Sequence, residues 1–397
     1  MPVWLSILVV AAFSWLLIGL TADSLLRLVY IIASWRECPR HAAPDGFDRD
    51  TLAVVIPAHN EADVIEETLV NLLQEMHPAQ VFVIADNCTD DTAALAREVG
   101  VQVWQRQQTD DTGKGAALRW FVRAADQALE AFSYVLVLDA DSLVGPSFFS
   151  SLMLAVAQGV PAAQCFARSP TQSSPVALLA GYSEFLSHRV DDVARQRLGW
   201  SAPLRGRGMV FDRMVLKSMV GDLRTRVEDV EFSLLLADRD ISIEFIQEAV
   251  LTDAKPPRVA AATRQRARWL QGQRQVWRAY HSLILHLLFD GRLEYVSLVF
   301  ATMVKPKTLL LLLKALWLAA AVVMPAQLVA LRWGVGGAAG LALLIDVTYY
   351  LLGLRLVENP IRYAKALALA PLYLLVWLGS LGVSWLSRSP WLRAAPD

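Results

Sequence analysis

The apolar runs settle the first question about this chain. Val3 to Ala22, VWLSILVVAAFSWLLIGLTA, carries no charged residue, and about twenty such residues at ~1.5 Å each cross the hydrocarbon core of a bilayer. Three further runs lie at about 309–331, 335–356 and 366–386. A long stretch without any such run separates them from the first, so the pattern is that of a membrane protein with a polar domain inserted between its spans. Composition agrees. The 397 residues are 55% hydrophobic with a mean hydropathy of +0.38, too apolar for an ordinary soluble domain.

No Lys or Arg precedes the first run, so it is expected to be a retained anchor rather than a cleaved signal. Arg27, Arg36, Arg40 and Arg49 follow it, which places the next segment in the cytoplasm and the N-terminus outside. Lys305 and Lys307 before the second run, and Arg355, Arg362 and Lys365 between the third and fourth, agree; Arg388 and Arg393 oppose it. The expected organisation is an anchor at 1–35, a cytoplasmic domain at 50–260, an interfacial amphipathic segment at 261–305 and three membrane helices at 306–390. The inner membrane of a bacterium is the expected location. Asp346 falls mid-run, where facing lipid would cost about 2.5–3.5 kcal/mol on insertion scales. It is expected to face the bundle or the interface with the polar domain, and Asp23 and Arg27, four apart, to pair on one helix face.

A net charge of −1 leaves no basic footprint for nucleic acid. Cys38, Cys88 and Cys165 are too scattered for a disulfide framework or a zinc site, which suits a reducing compartment.

Within the central domain, short β-type segments alternate with helical ones. LAVVIPAHN, QVFVIADN, GVQVWQR and YVLVLDAD read as strands; EADVIEETLVNLLQEM, TDDTAALAREVG and KGAALRWFVRAADQAL read as helices. That order predicts a mostly parallel sheet with helices on both faces. Ligands then bind beyond the carboxyl ends of the strands. There the sequence places Pro57, His59, Asn60 and Glu61, then Asp86 and Asn87, then Asp139 and Asp141. Thr89 or Asp90 is expected to cap the helix that follows Asn87.

With YVLVLDAD a strand, alternation points Asp139 and Asp141 the same way and Ala140 away. Two carboxylates in one space raise each other's pKa unless a cation sits between them, and hard oxygen ligands suit Mg²⁺ or Mn²⁺. By themselves the two acids read more readily as solvated turn residues before Gly145-Pro146, and it is the rest of the chain that favours the metal reading. Lys114, between two glycines at a helix start, can approach a phosphate, although the spacing is not that of a P-loop. Glu228 and Asp229 open a helix where acids are favourable anyway. Gln265, Arg268 and Trp269 in QRARW can hold a diphosphate and stack on a ring. They sit in a basic, aromatic segment that reads as interfacial.

Taken together, PAHNE, ADNCTDD, GKG, DAD, GRGMVF, VED and QRARW, in that order over residues 50 to 290, resemble the membrane-embedded family 2 glycosyltransferases. That group includes cellulose and hyaluronan synthases and ceramide glucosyltransferases. The resemblance implies a GT-A-type α/β fold. It also implies that Asp86 contacts the base of a nucleotide-sugar, Glu61 its ribose region and Lys114 the nucleotide, with Pro57 and His59 in the same binding site. Asp139 and Asp141 would hold the ribose and a divalent metal, Mg²⁺ or Mn²⁺; Asp229, with Glu228 beside it, would be the general base, and Gln265, Arg268 and Trp269 the family's Q-x-x-R-W. Val227 stands where the family often has Thr or Ser, and Arg207 where a small or amide residue is common. The second departure bears on the acceptor pocket.

The expected reaction is a single inverting displacement from a nucleotide-sugar, a UDP-sugar by the family's habit, onto a membrane lipid or lipid-linked glycan, giving a β-glycosidic bond. A processive polysaccharide synthase uses the same chemistry, but four spans are few for a self-contained polymer channel. A tethered binding scaffold with a dead site would lack one of Asp139, Asp141 or Asp229. A membrane nucleotidyltransferase would not need Glu228-Asp229 with QRARW, and a transporter would not have its spans split by a folded domain.

Overall fold

The computed structural model describes residues 3–35, 49–169, 174–252, 259–303, 307–323 and 329–386. Arg36, Cys38, Arg40, Lys305, Arg388 and Arg393 lie outside these. Eight strands form one sheet: β1 Leu52–Ala58, β2 Val81–Asp86, β3 Gln102–Arg106, β4 Tyr134–Val137, β5 Leu143–Val144, β6 Ala162–Arg168, β7 Met209–Asp212 and β8 Ile243–Thr252. Their order is β3-β2-β1-β4-β7-β6-β8-β5. The pairs β3-β2, β2-β1, β1-β4 and β6-β8 are parallel, whereas β4-β7, β7-β6 and β8-β5 run antiparallel. The sheet is mostly parallel, as the alternating elements predict.

Alternation along the strands sorts the core into two layers. Ala53, Val55, Phe82, Ile84, Val135 and Val137 face the helices Lys114–Ala124 and Glu228–Asp238. Leu52, Val54, Ile56, Val81, Val83 and Leu136 face the helices Ile65–Leu72 and Phe148–Ala157. Fully buried on both faces, β1, β2 and β4 need near-continuous apolar runs, which is what made them visible in the sequence. Because these strands are parallel and in register, with Ala58 opposite Ala85 and Val55 opposite Val137, their carboxyl ends share one rim.

Among the described residues two helical stretches, Leu16–Ala33 and Arg332–Leu356, are each long and apolar enough to cross a membrane. Two bent pairs reach that length together: Leu293–Met303 with Lys307–Val322, bent by 103°, and Pro360–Ala368 with Tyr373–Trp385, bent by 59°. This differs from four simple spans. The third expected run begins at Val329 rather than 335, and the fourth is split. Pro371 lies at that second bend, where it removes a helix hydrogen bond and crowds the preceding turn.

Asp346 does face the bundle. It is fully buried, with Arg27 at 3.1 Å and Lys314 at 2.8 Å, while Asp23 lies 3.1 Å from Arg27 and 2.7 Å from Lys314. Two acids and two bases thus close a neutral quartet between helices Val3–Ala33, Lys307–Val322 and Val329–Gly353.

The apolar bundle is tied to the sheet domain by a second set of buried charges. One π-helical stretch, Ser187–Asp192, follows the helix Pro175–Leu186. There Asp191 accepts from Lys307 (2.9 Å), and Asp192 accepts from Arg195 (2.7 Å) and Arg205 (2.6 Å).

Candidate active site

Asp86 ends β2 and lies in register with Arg106, the last residue of β3. Arg106, fully buried, donates to Asp86 Oδ1 at 2.6 Å, and Asn87 donates to the same oxygen at 2.9 Å. Burial pushes the Asp86 carboxyl up, against the pull of Arg106. The His59 ring nitrogen Nδ1 lies 2.6 Å from the Asp86 carbonyl oxygen, joining the ends of β1 and β2. Nothing in the sequence marked Arg106, because one arginine closing a strand is ordinary at a sheet end. Asp90 caps that helix as expected, from one position outside the N-cap: its carboxylate accepts from the amide (3.1 Å) and hydroxyl (2.6 Å) of Thr92, the first helical residue, and, across the rim, from the Ala62 amide at 3.1 Å. Asp91 occupies the N-cap position without a side-chain bond.

The D-x-D segment corrects the strand argument. β4 stops at Val137, so Asp139 and Asp141 sit in the following turn, closed by the Ser142 amide on the Asp139 carbonyl at 3.2 Å. The turn, rather than strand alternation, brings them to the rim. Thr68, on the helix after β1, holds it through a 2.7 Å bond to the Ala140 carbonyl.

Asp139 accepts from the Lys114 ammonium, which also donates to the Gly206 carbonyl at 2.6 Å and lies 4.0 Å from Glu228. Burial alone would lower the Lys114 pKa; Asp139 and Glu228 outweigh it and raise it. Gly206 has φ +86, a backbone that L side chains rarely adopt. That turn presents its carbonyl to Lys114. A Cβ at Gly206 would lie 3.9 Å from Asp229 Oδ2, so the lysine and the acid pair meet across one glycine.

Glu228 is buried, and burial drives its carboxyl well above the ordinary range against the pull of Lys114, with Asp229 adding to the rise. Asp229 Oδ1 accepts the Val230 amide at 2.9 Å. Behind them, Glu231 is fully buried and accepts from the amide and hydroxyl of Thr225, both at 2.9 Å, and from the Tyr280 hydroxyl. This fixes the loop that delivers the acids and meets the kink at Tyr280 in the helix Val259–Phe289. That helix carries Gln265, Arg268 and Trp269 at i, i+3, i+4, one face of a helix.

These elements enclose a cavity of about 370 Å³ lined by Lys114, Asp139, Glu228, Asp229, Gln265, Arg268 and Trp269. Seven of the residues singled out in the sequence therefore meet. Pro57, His59, Glu61, Asp86 and Asp141 do not line it; they lie on the neighbouring rim at the ends of β1, β2 and β4. Arg207, next to Gly206 in the chain, pairs with Glu184 of the helix Pro175–Leu186, and both line the cavity.

Among the described residues, no group of three or more His, Cys, Asp or Glu is arranged to hold a metal. The rim nevertheless fits a divalent ion that draws further ligands from a diphosphate. Glu61 is pushed up to about 7 by burial and then by Asp141, Asp139, Asp90 and Asp63. Such a concentration of acids suits a hard cation.

With this geometry in view, the sequence pattern described as "Glycosyltransferase like family 2" matches residues 49–272. The chain belongs to that family. A relative from Bacillus subtilis, "Probable glycosyltransferase YdaM", is 24% identical over 258 residues, covering 62% of this chain and 59% of that protein. The chain thus matches less than two thirds of that family 2 relative's length. A 4,4'-diaponeurosporenoate glycosyltransferase from Staphylococcus aureus is 39% identical over 57 residues, 14% of this chain and 15% of that one.

Among solved structures, mannosyltransferase PcManGT from Pyrobaculum calidifontis, in complex with GDP-Man and Mn²⁺, is 20% identical. It superposes with a TM-score of 0.49 over 83% of this chain and 98% of its own. Glucosyl-3-phosphoglycerate synthase from Mycobacterium tuberculosis, with Mn²⁺ and UDP, is 22% identical with a TM-score of 0.38, covering 53% of this chain and 74% of its own.

Proposed function

We propose that this family 2 glycosyltransferase moves a sugar from a nucleotide-sugar to a membrane lipid or lipid-linked glycan with inversion at the anomeric carbon. The observation that carries the reading is one cavity in which a half-buried lysine, an acid pair and Gln265, Arg268 and Trp269 converge beside a rim of acids. A UDP-sugar is the expected donor, with the base near Asp86, His59 and Pro57 and the ribose near Glu61 and Asp139. A GDP-sugar, as in the Pyrobaculum structure, fits the same rim.

Negative charge builds on the diphosphate as the glycosidic bond breaks, and Lys114 and Arg268 are placed to stabilise it. Asp139 and Asp141, with Glu61 beside them, would hold Mg²⁺ or Mn²⁺ together with diphosphate oxygens, and the ion would supply Lewis-acid stabilisation of the diphosphate when bound. Trp269 offers a stacking face for a sugar. Of the adjacent acids, Glu228 is buried and pushed toward its neutral form, which leaves Asp229, half-buried and facing Gly206, to take the acceptor hydroxyl's proton. A base so placed contributes about 10² to 10⁴ in rate.

The catalytic domain is assigned to residues 50–260 on the cytoplasmic side of a membrane, and the helix Val259–Phe289 places the cavity beside the apolar helices. The test is transfer from labelled UDP- and GDP-sugars by the purified full chain with Mg²⁺, Mn²⁺ or EDTA and a total lipid extract. Metal-dependent label in the organic phase supports the reading. Label in a high-molecular-weight aqueous product would favour a polysaccharide synthase, and no turnover of any donor would leave a binding scaffold.

A further inference from the structure

Arg266 is the member of QRARW that the donor site does not use. It is 3% exposed and lies about a third of a turn from Gln265, facing the helix Ala370–Leu386. Its Nη1 donates to the Ala262 carbonyl at 2.9 Å and its Nη2 to the Tyr373 hydroxyl, while Nε has no partner. The guanidinium lies 4.9 Å from the Tyr373 ring centre and 5.3 Å from that of Trp377. Among the described residues no carboxylate pairs with it.

A buried cation without an acid is costly, and two aromatic faces offset that only in part. The acids nearby are engaged elsewhere: Glu184 by Arg207, Asp191 by Lys307 and Asp192 by Arg195 and Arg205.

Arg266 lines a side cavity of about 140 Å³, with Lys307, Val176, Ala180, Tyr373 and Trp377 among its walls. Glu184, Arg205, Gln265 and Trp269 line both this cavity and the main one, so the two adjoin. The side cavity thus sets Arg205, Arg266 and Lys307 against the single acid Glu184, adjoins the main cavity at Glu184, Arg205, Gln265 and Trp269, and has an apolar wall in Val176, Ala180, Tyr373 and Trp377. The helix forming that wall exposes Leu375, Leu378 and Trp385, a surface suited to hydrocarbon.

We infer that this side cavity is the acceptor's entry, and that it selects an amphiphile bearing an anionic group, phosphate or carboxylate, held at Arg266 with its chain against Tyr373, Trp377 and the outer apolar helix face. The acceptor oxygen then reaches the main cavity past Gln265 and Trp269. This rests on the transferase reading and adds the class of its acceptor. An Arg at this position supplies Nε–H for the anion while its other nitrogens keep their protein partners, which a neutral lipid would not require.

The test measures binding rather than turnover. The full chain in phosphatidylcholine nanodiscs is titrated with dioleoyl phosphatidic acid against dioleoylglycerol, with oleic acid against oleyl alcohol, and with inorganic phosphate alone. Binding of UDP and GDP is measured on the same preparation. The expected result is a preference of about tenfold or more for the anionic member of each lipid pair, with weak binding of inorganic phosphate. Arg266→Gln should abolish the preference, Arg266→Lys keep part of it, and both keep nucleotide binding.

Equal binding of acid and alcohol by the wild-type chain overturns the inference without recourse to a variant, as does a preference that survives Arg266→Gln. Inorganic phosphate competing as well as phosphatidic acid would assign a soluble anion instead of a lipid and overturn it too. Selective binding of anionic lipid with no nucleotide binding would remove the transferase reading while leaving the anionic-amphiphile site in place.

Discussion

Gly272 lies flat against Val227: a Cβ built on the glycine would come within 2.3 Å of Val227 Cγ1. The helix carrying Gln265, Arg268 and Trp269 can approach the loop bearing Glu228 and Asp229 only because this position has no side chain. Val227, where a hydroxyl residue is common in the group the chain resembles, fills that contact with methyls. Gly272→Ala is expected to destabilise the protein by about 1–3 kcal/mol through overpacking and to lower donor turnover further by displacing the acid pair. Val227→Ala in the same chain should restore part of both. Thermal unfolding and turnover of the single and double variants check this; a fully active, fully stable Gly272→Ala would refute the contact.

Arg106 is expected to act through Asp86. Removing it strands a buried carboxylate, at a cost of about 3–5 kcal/mol, and frees Asp86 to turn away from the base. Arg106→Ala should therefore weaken nucleoside diphosphate binding by about tenfold or more, with Arg106→Lys intermediate. Calorimetric titration with UDP and GDP is the measurement, and unchanged affinity in a folded Arg106→Ala protein would remove this role.

Glu61 gives the pH dependence. Its carboxyl rises from 4.5 to about 7 in the folded chain, so the folded state binds the extra proton. In the absence of ligand, that contribution to stability is fully present below about 4.5 and is lost as pH rises through about 7. A bound divalent ion reverses the preference, because it favours the ionised carboxylate. The stabilisation by Mn²⁺ with nucleoside diphosphate should thus grow between pH 6 and 8, by up to about tenfold in apparent affinity per pH unit below the pKa. Glu61→Gln should flatten the profile. A wild-type profile already flat across that window would count against Glu61 as a metal-site group.

Within the apolar bundle, Asp346→Ala leaves Arg27 and Lys314 sharing only Asp23, and should cost about 3–5 kcal/mol. Replacing Asp346 and Lys314 together by Leu and Met keeps Arg27 with Asp23 and should be nearly neutral. Unfolding of detergent-solubilised protein separates the two outcomes; equal losses for both would deny that the quartet acts as a pair of pairs.

What the sequence disclosed follows from burial. β1, β2 and β4 are dry on both faces, so their Val and Ile runs were unmistakable, and the polar residues just past them marked the rim. QRARW and VED lie at helical positions whose neighbours are regular, so their faces could be inferred. The D-x-D argument reached the right neighbourhood by the wrong geometry, since β4 ends two residues before Asp139 and a turn does the placing. β7 pairs antiparallel with β4 and β6, while β8 pairs antiparallel with β5 and parallel with β6; these pairings are set by distant chain, and no local pattern announces them. Nothing local marks Arg106, Asp191, Asp192 or Arg266 as buried; only tertiary packing does, and three of the four are paired there with opposite charge.

The most direct test of the account compares donor binding and sugar transfer by the wild-type chain and Asp229→Asn, in the same membrane preparation, with the preferred labelled donor. The account predicts transfer reduced by about 10² to 10⁴, while the donor dissociation constant stays within about threefold. Undiminished transfer by Asp229→Asn would contradict it, because the cavity that gathers Lys114, Asp139 and Arg268 would then have no base.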